Sequence, residues 1–286
     1  MTIAVTGATG QLGGLVIDEL LGRGVPATDI VAIVRVEAKA ADLASNGVQI
    51  RVASYEEPEA LRRALNGVDK LLLISGSEVG RRVPQHTNVI EAAEATGVKL
   101  IAYTSLLNAA TSGLGLAPEH VATEKRQAES SIPEVFLRNG WYWENYLQAI
   151  GQAVSSGALF GAAGEGKVAG AARADYAAAA AAVLTSDADQ GGKIYELGGD
   201  ERLTYADLAK IIGEVAGRPV EYRNLPEADY AKVLAEGGVP EQFAAVLAGS
   251  DASIARGELD TTSGDLQALI GRSSTPVAEI VRAAIA

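Results

Sequence analysis

Residues 5–14 read VTGATGQLGG, which sets Gly7, Gly10 and Gly13 directly after the apolar run Ile3–Thr6 and at the head of an amphipathic stretch. A strand, a glycine-spaced turn and a helix in that order admit few folds. The first glycine lets the chain turn sharply, the second lets backbone approach a pyrophosphate, and the third lets the helix lie close to the sheet. Amides at the helix N-terminus then face the diphosphate. A second apolar run at 30–34 completes a βαβ unit, so Gly7, Ala8, Thr9, Gly10, Gln11, Leu12 and Gly13 are expected to hold a dinucleotide. A glycine-rich turn that merely packs a helix on a sheet is the alternative, and it leaves the residue at the end of the next strand unexplained.

That residue is Arg35. Sites that prefer NAD carry an Asp or Glu about 20 residues past the motif, on the ribose hydroxyls. A guanidinium instead binds the adenosine 2′-phosphate with two parallel hydrogen bonds and stacks on the adenine, whereas a carboxylate repels that phosphate. The cofactor expected is therefore NADP(H). Lys39 either adds a second positive charge or is a solvated surface lysine, since Glu37 lies between the two.

Short apolar runs at 3–6, 30–34, 48–52, 70–74, 99–104, 135–137 and 193–197 alternate with longer amphipathic stretches at 13–22, 57–65, 85–96 and 122–130. This alternation predicts parallel strands joined by crossover helices, a Rossmann-type doubly wound α/β sheet. Six alanines, Ala177 to Ala182, predict a helix pressed against that sheet. Beyond Gly198 the pattern turns helical, at 205–216, 227–236 and 241–247. The division expected is a cofactor domain over 1–140 that also receives about 171–198, and a smaller, mainly helical lobe over 141–170 and 199–286 that covers the cofactor cleft.

Composition narrows the function classes. A net charge of −12 with no basic run disfavours nucleic acid and anionic lipid. The absence of cysteine removes disulfides, thiolate nucleophiles and cysteine-bound metal. The longest weakly polar stretch, 171–184, is broken by Arg173 and Asp175 and falls short of the ~20 apolar residues that a membrane span needs. No basic leader precedes the first strand, which predicts a cytoplasmic protein.

Read together, TGATGQLG, IVR, LLLISGSEVG, IAYTSLLNA, LRNGWYWENY and ARADYAAAA resemble the NmrA-like atypical short-chain dehydrogenase/reductases over nearly the whole chain. Within them the chain looks most like the bacterial NAD(P)H:quinone oxidoreductases, with triarylmethane dye reductases close by. The resemblance implies NADPH bound by the glycine turn, Arg35, Ser75, Gly76 and Ser77, and by Asn139, Gly140, Trp141, Tyr142, Trp143 and Glu144. For 75–77 a simple polar turn is the alternative.

One departure constrains the chemistry. Alcohol-oxidising members of the wider superfamily use Tyr-x-x-x-Lys, in which the lysine lowers the tyrosine pKa for proton exchange. Here Val121 stands four residues before Lys125, so that proton donor is missing. A quinone needs less help, because hydride yields a delocalised quinolate that water can protonate. Direct hydride transfer to a quinone, without flavin or metal, is the expected reaction. Dyes, imine-like electrophiles or a non-catalytic NADP(H)-sensing role are the alternatives.

Lys125 is either a contact to the nicotinamide ribose or a helix-surface lysine. His120 is either a proton donor near neutral pH or an exposed helix-start residue, and His86 carries less functional weight. Trp141, Trp143 and Tyr146 offer faces to a planar acceptor, or else form the seam between lobes. Asn145 and Tyr103 are candidate hydrogen-bond partners for a quinone oxygen. Helices that would pair subunits in a homodimer read the same as core helices, so dimerisation is left open.

Overall fold

The computed structural model describes residues 1–286, with Gln242 described by its backbone alone. The first half of the chain forms β1 (Ile3–Thr6), α1 (Gln11–Gly22), β2 (Ile30–Val34), α2 (Ala41–Ser45), β3 (Gln49–Val52), α3 (Pro58–Leu65), β4 (Lys70–Leu73), α4 (Arg82–Thr96), β5 (Leu100–Leu106), α5 (Ala117–Ala128) and β6 (Glu134–Asn139). Then follow α6 (Leu147–Ser156), β7 (Ala158–Gly161), α7 (Arg173–Thr185), β8 (Lys193–Leu197), α8 (Tyr205–Ala216), β9 (Glu221–Asn224), α9 (Glu227–Glu236), α10 (Glu241–Ala255), α11 (Asp265–Ile270) and α12 (Val277–Ile285).

Seven strands form one sheet in the order β3-β2-β1-β4-β5-β6-β8. Neighbouring pairs from β3 to β6 run parallel, in registers such as Val5 beside Ala32 and Tyr103 beside Phe136. The bonds Gly192 N to Glu134 O and Gly140 N to Leu197 O set β8 parallel to β6 as well. The strand order reverses between β1 and β4, the switch point beside which doubly wound sheets open a crevice at the carboxyl edge.

The chain divides into two compact units. One comprises Met1–Ala109, Pro118–Asn139 and Arg173–Tyr195, and the other Ala110–Ala117, Gly140–Ala172 and Glu196–Ala286. In the first unit α7 packs along α1, β4 and β5. Ala177, Ala179 and Ala181 are fully buried, and Ala178 and Ala180 nearly so. An all-alanine surface makes this possible, because methyl groups alone separate the helix backbone from its neighbours on several sides.

The second unit is mainly helical and also holds a two-stranded sheet. β7 and β9 pair in parallel, Ala158 beside Glu221 through Gly161 beside Asn224. Both strands have four residues, too few for an alternating pattern to register in sequence. Helix α6, just after the aromatic segment, and helices α11 and α12 also lie outside the segments that the sequence predicts. No helix among the described residues is long and apolar enough to cross a membrane.

The packing of α1 on β1 rests on two glycines. Gly7 has φ +58°, a left-handed conformation that side chains rarely adopt. At Gly13 a Cβ would stand 2.3 Å from the Gly7 carbonyl oxygen and 2.8 Å from Ala8 Cα. Gly13→Ala is expected to lower stability by about 1–3 kcal/mol or more, because backbone rather than a pliant side chain blocks the methyl. Urea unfolding of wild type and variant checks this, and an unchanged midpoint would show that α1 can shift away without loss.

Candidate functional site

In the first unit the loops after β1, β2 and β4 enclose a hollow of about 430 Å³. Gly7, Thr9, Gly10, Arg35, Lys39, Ser75, Gly76 and Ser77 line it, so eight of the residues that the sequence predicts for the cofactor meet in one place. Ala8, Leu12 and Gly13 are buried behind the turn, where they fix its shape, and Gln11 is exposed at the start of α1.

The N-terminus of α1 is built for an anion. Gly10 caps the helix without any side-chain acceptor, and no acidic residue occupies the first turn. Gly10 N–H donates to Gly7 carbonyl at 2.8 Å, which closes the turn and leaves the amides at the helix head to a ligand. Arg35 projects from the end of β2 with its side chain 72% exposed, and Nη1 meets Glu78 Oε1 at 3.3 Å. Lys39 is exposed in the short turn Glu37–Ala40.

Glu78 was not visible as a functional residue in the sequence. It accepts from Gln85 Nε2 at 3.2 Å and lies 3.9 Å from Arg81, whose guanidinium also pairs with Glu56. The rim near Arg35 is thus a small network of arginines and carboxylates. Tyr55 completes the wall, its hydroxyl donating to the Ile74 carbonyl at 2.8 Å beside the Thr6 hydroxyl.

The loop of Ser75, Gly76 and Ser77 is wired from below. Ile74 N–H donates to Thr6 Oγ1 at 2.9 Å, Ser75 N–H to Thr104 Oγ1 at 2.9 Å, and Gly76 N–H to His86 Nε2 at 3.0 Å. Arg82 Nε donates to the Gly76 carbonyl and its Nη1 pairs with Glu119 at 3.3 Å. Because Gly76 donates to Nε2, the His86 proton sits on Nδ1, 3.0 Å from Thr123 Oγ1. His86, given little weight by the sequence, is a fully buried post beneath the loop. Nothing local in the sequence reveals this, since the partners lie 10 and 37 residues away.

Several candidates require correction. His120 is 6% exposed rather than solvent-facing, and its Nδ1 is hydrogen-bonded to the Tyr103 hydroxyl at 2.8 Å. Burial, with Arg82 nearby, depresses its pKa to about 4, so it is neutral at pH 7 and is no imidazolium donor there. Tyr103 is fully buried in the core, with its hydroxyl 2.8 Å from His120 Nδ1, and it is absent from the lining of the hollow. Lys125 is exposed on α5 and lies outside the lining of the hollow.

Asn139 ends β6 in the first unit, and Gly140 N–H bonds the Leu197 carbonyl in the second. Tyr142 and Glu144 are half-buried in the second unit. There, Trp141, Asn145 and Tyr146 line one pocket, whereas Trp143 is 2% exposed. The Trp143 ring fills the space that a Cβ on Gly170 would occupy, at 2.8 Å, so it packs the unit's interior and offers no face to an acceptor.

The two buried histidines make stability depend on pH. Their ordinary pKa is 6.5, and burial lowers it to about 3 for His86 and about 4 for His120. Their neutral forms support the fold fully above pH 6.5, and that support is lost as pH falls, because the unfolded chain takes up protons that the folded chain refuses. The expected loss approaches about 1.4 kcal/mol per histidine per pH unit between pH 6.5 and the folded pKa. Denaturant midpoints at pH 7 and pH 5 should fall more steeply for wild type than for a His86→Gln, His120→Gln double variant. Equal slopes would sink the assignment; Asp251, whose pKa is raised to about 6, titrates in the opposite sense in both proteins.

Comparison with known proteins agrees with this geometry. The NmrA-like family model matches residues 1–268. Quinone oxidoreductase 2 of Escherichia coli strain K12 is 54% identical over 279 residues, 98% of this chain and 97% of that protein. The crystal structure of the Escherichia coli NADPH-dependent quinone oxidoreductase complexed with NADPH superposes with a TM-score of 0.96 at 53% identity and covers all of both chains. The Citrobacter sp. triphenylmethane reductase complexed with NADP(H) gives a TM-score of 0.95 at 43% identity over 99% of this chain and all of that one. The chain belongs to the NmrA-like family, on a parallel seven-stranded Rossmann-type sheet.

Proposed function

We propose that this protein is an NADPH-dependent reductase that passes hydride to quinones. The observation that carries the reading is Arg35 standing in the same hollow as the glycine turn, where an NAD-preferring site would place a carboxylate. The residues present fit NADP(H). The α1 head offers uncapped amides to the pyrophosphate, Gly7 and Gly13 let the turn and the helix close tightly on β1 behind it, and Arg35 suits the 2′-phosphate. The Escherichia coli relative, an NADPH-dependent quinone oxidoreductase, supports both cofactor and acceptor.

When bound, NADPH supplies the hydride. The protein's residues bind and orient. Thr6, Thr104 and His86 hold the 74–76 backbone rigid, so Ser75 and Ser77 are presented from a fixed loop. Val121, 39% exposed, stands where alcohol dehydrogenases of the superfamily carry tyrosine, and a quinone dispenses with that group because its reduced oxygen is a stabilised anion. Trp141, Tyr146 and Asn145 are the side chains proposed to meet the acceptor ring. The Citrobacter relative gives triphenylmethane dyes standing as a second acceptor class.

Mixing enzyme, NADPH and a panel of benzoquinones and naphthoquinones while following NADPH absorbance tests the activity. Quinone-dependent oxidation is expected, and tight NADPH binding without turnover on quinones or cationic dyes would favour a sensing role instead. Arg35→Ala should weaken NADPH roughly 10- to 100-fold, the worth of a charge-assisted bidentate contact, with little change for NADH. Equal losses for both cofactors would place Arg35 elsewhere than on the 2′-phosphate.

Glu78→Gln should act in the other direction. Removing the carboxylate that occupies Arg35 is expected to tighten NADPH about two- to fivefold, the modest value of an exposed ion pair. Weaker binding, measured by the same titration, would mean that Glu78 orients Arg35 rather than competing for it.

A further inference from the structure

The second unit contains a pocket of about 150 Å³ walled by Trp141, Asn145, Tyr146, Phe160, Tyr230 and Leu247, with Tyr205 and Asp251 also in its lining. A space of that size holds a single six-membered ring. Beneath Tyr146 runs a line of buried oxygens. The Tyr146 and Tyr205 hydroxyls are 3.1 Å apart, and the Tyr205 hydroxyl lies 2.7 Å from Asp251 Oδ1. Asp251 Oδ2 accepts from Ala162 N–H at 2.8 Å. Gly161 makes this possible, since a Cβ there would stand 2.6 Å from the Tyr205 ring and 2.9 Å from Asp251 Oδ2.

Counting hydrogens gives the chain two states. Each tyrosine has one proton to donate, and an ionised carboxylate has none. With Asp251 ionised, Tyr205 donates to it and Tyr146 donates to Tyr205, so Tyr146 offers the pocket only lone pairs. With Asp251 protonated the direction reverses: Asp251 donates to Tyr205, Tyr205 donates to Tyr146, and the Tyr146 O–H is free to donate into the pocket.

We propose that Tyr146, Tyr205 and Asp251 form a reversible hydrogen-bond chain that binds the oxygen of a single-ring quinone or hydroquinone. In its donor state Tyr146 favours the quinone carbonyl, and in its acceptor state it favours the hydroquinone hydroxyl. Tyr146 is the ligand-contacting group; Tyr205 and Asp251 act through it as positioning residues. The choice of ligand rests on the reductase reading above, but the chain itself is read from the second unit alone.

The groups that face Asp251 narrow the pH dependence to one titration. They are Tyr205 on α8, Tyr146 just before α6, Tyr222 on β9, Tyr230 on α9 and the Ala162 amide after β7. Burial holds all four tyrosines above their ordinary range, Tyr222 at about 12, so each keeps its proton between pH 5 and 8. Burial also raises the Asp251 carboxyl to about 6, inside that window.

The test is calorimetric binding of 1,4-benzoquinone and of hydroquinone to the full chain without NADPH, from pH 5 to pH 8. The chain has no cysteine for the quinone to alkylate. Benzoquinone is expected to bind about two- to tenfold tighter at the acid end and hydroquinone tighter at the alkaline end, the worth of one reoriented hydrogen bond. Asp251→Asn, whose amide nitrogen donates permanently, should hold benzoquinone at its acid-end affinity throughout. Tyr205→Phe, which breaks the chain, should flatten both profiles, with circular dichroism confirming the fold of each variant. A pH dependence that survives in both variants, or identical profiles for the two ligands, overturns the proposal. Turnover is scored separately: the expected binding profiles without NADPH oxidation would uphold this chain and remove the reductase, while oxidation with flat binding would do the reverse.

Discussion

Helix α1 can lie on the end of β1 only because Gly13 has no side chain. A methyl group there would sit 2.3 Å from the Gly7 carbonyl, so the approach of helix to strand is set by backbone against backbone. Much follows from that contact. It aims the uncapped head of α1 along the carboxyl edge of the sheet, and it brings the other side of α1 to α7, whose alanines accept it with methyl groups alone. Small residues on two neighbouring elements thereby place an uncapped helix N-terminus, suited to an anion, beside the switch in strand order.

What holds the opposite wall is polar and buried. Thr6, Thr104, His86 and Arg82 each take a backbone group of the loop after β4, and Tyr103 with His120 forms a second buried pair from the same sheet and α5. An unpaired backbone amide in such a place would destabilise the fold by about 1–3 kcal/mol. The neutral His86 imidazole therefore has a definite task, and the burial that lowers its pKa secures it. Burial that keeps His86 uncharged also keeps Nε2 free to accept from Gly76.

The sequence revealed features whose causes are local. The glycine turn, three strands to the residue, and helices α8 and α9 were legible because turn chemistry and periodicity act over a few positions. The roles of His86, His120 and Tyr103 were not, because their partners come from distant segments. The aromatic segment shows the same divide at shorter range. Both tryptophans could be located, but their facing depended on a 3₁₀ turn over Trp143–Tyr146, whose period of three sets those two rings one above the other, 5.9 Å apart and buried. Trp141, Asn145 and Tyr146 reach the pocket, whereas Trp143 does not.

The charge balance at the rim explains why Arg35 should be read as a selector rather than an anchor. In a chain of net charge −12, an arginine facing a cofactor phosphate must first be considered with its resident counter-ion. Arg35 has one in Glu78, which it shares with Arg81, while Arg81 also takes Glu56. Binding a 2′-phosphate therefore exchanges one carboxylate for a more highly charged, bidentate partner, and only the difference between the two counts toward affinity. A cofactor lacking that phosphate leaves the Arg35–Glu78 pair intact and loses little. On the proposed reading, discrimination arises from the exchange at the rim, while the glycine turn and the α1 head hold what both cofactors share.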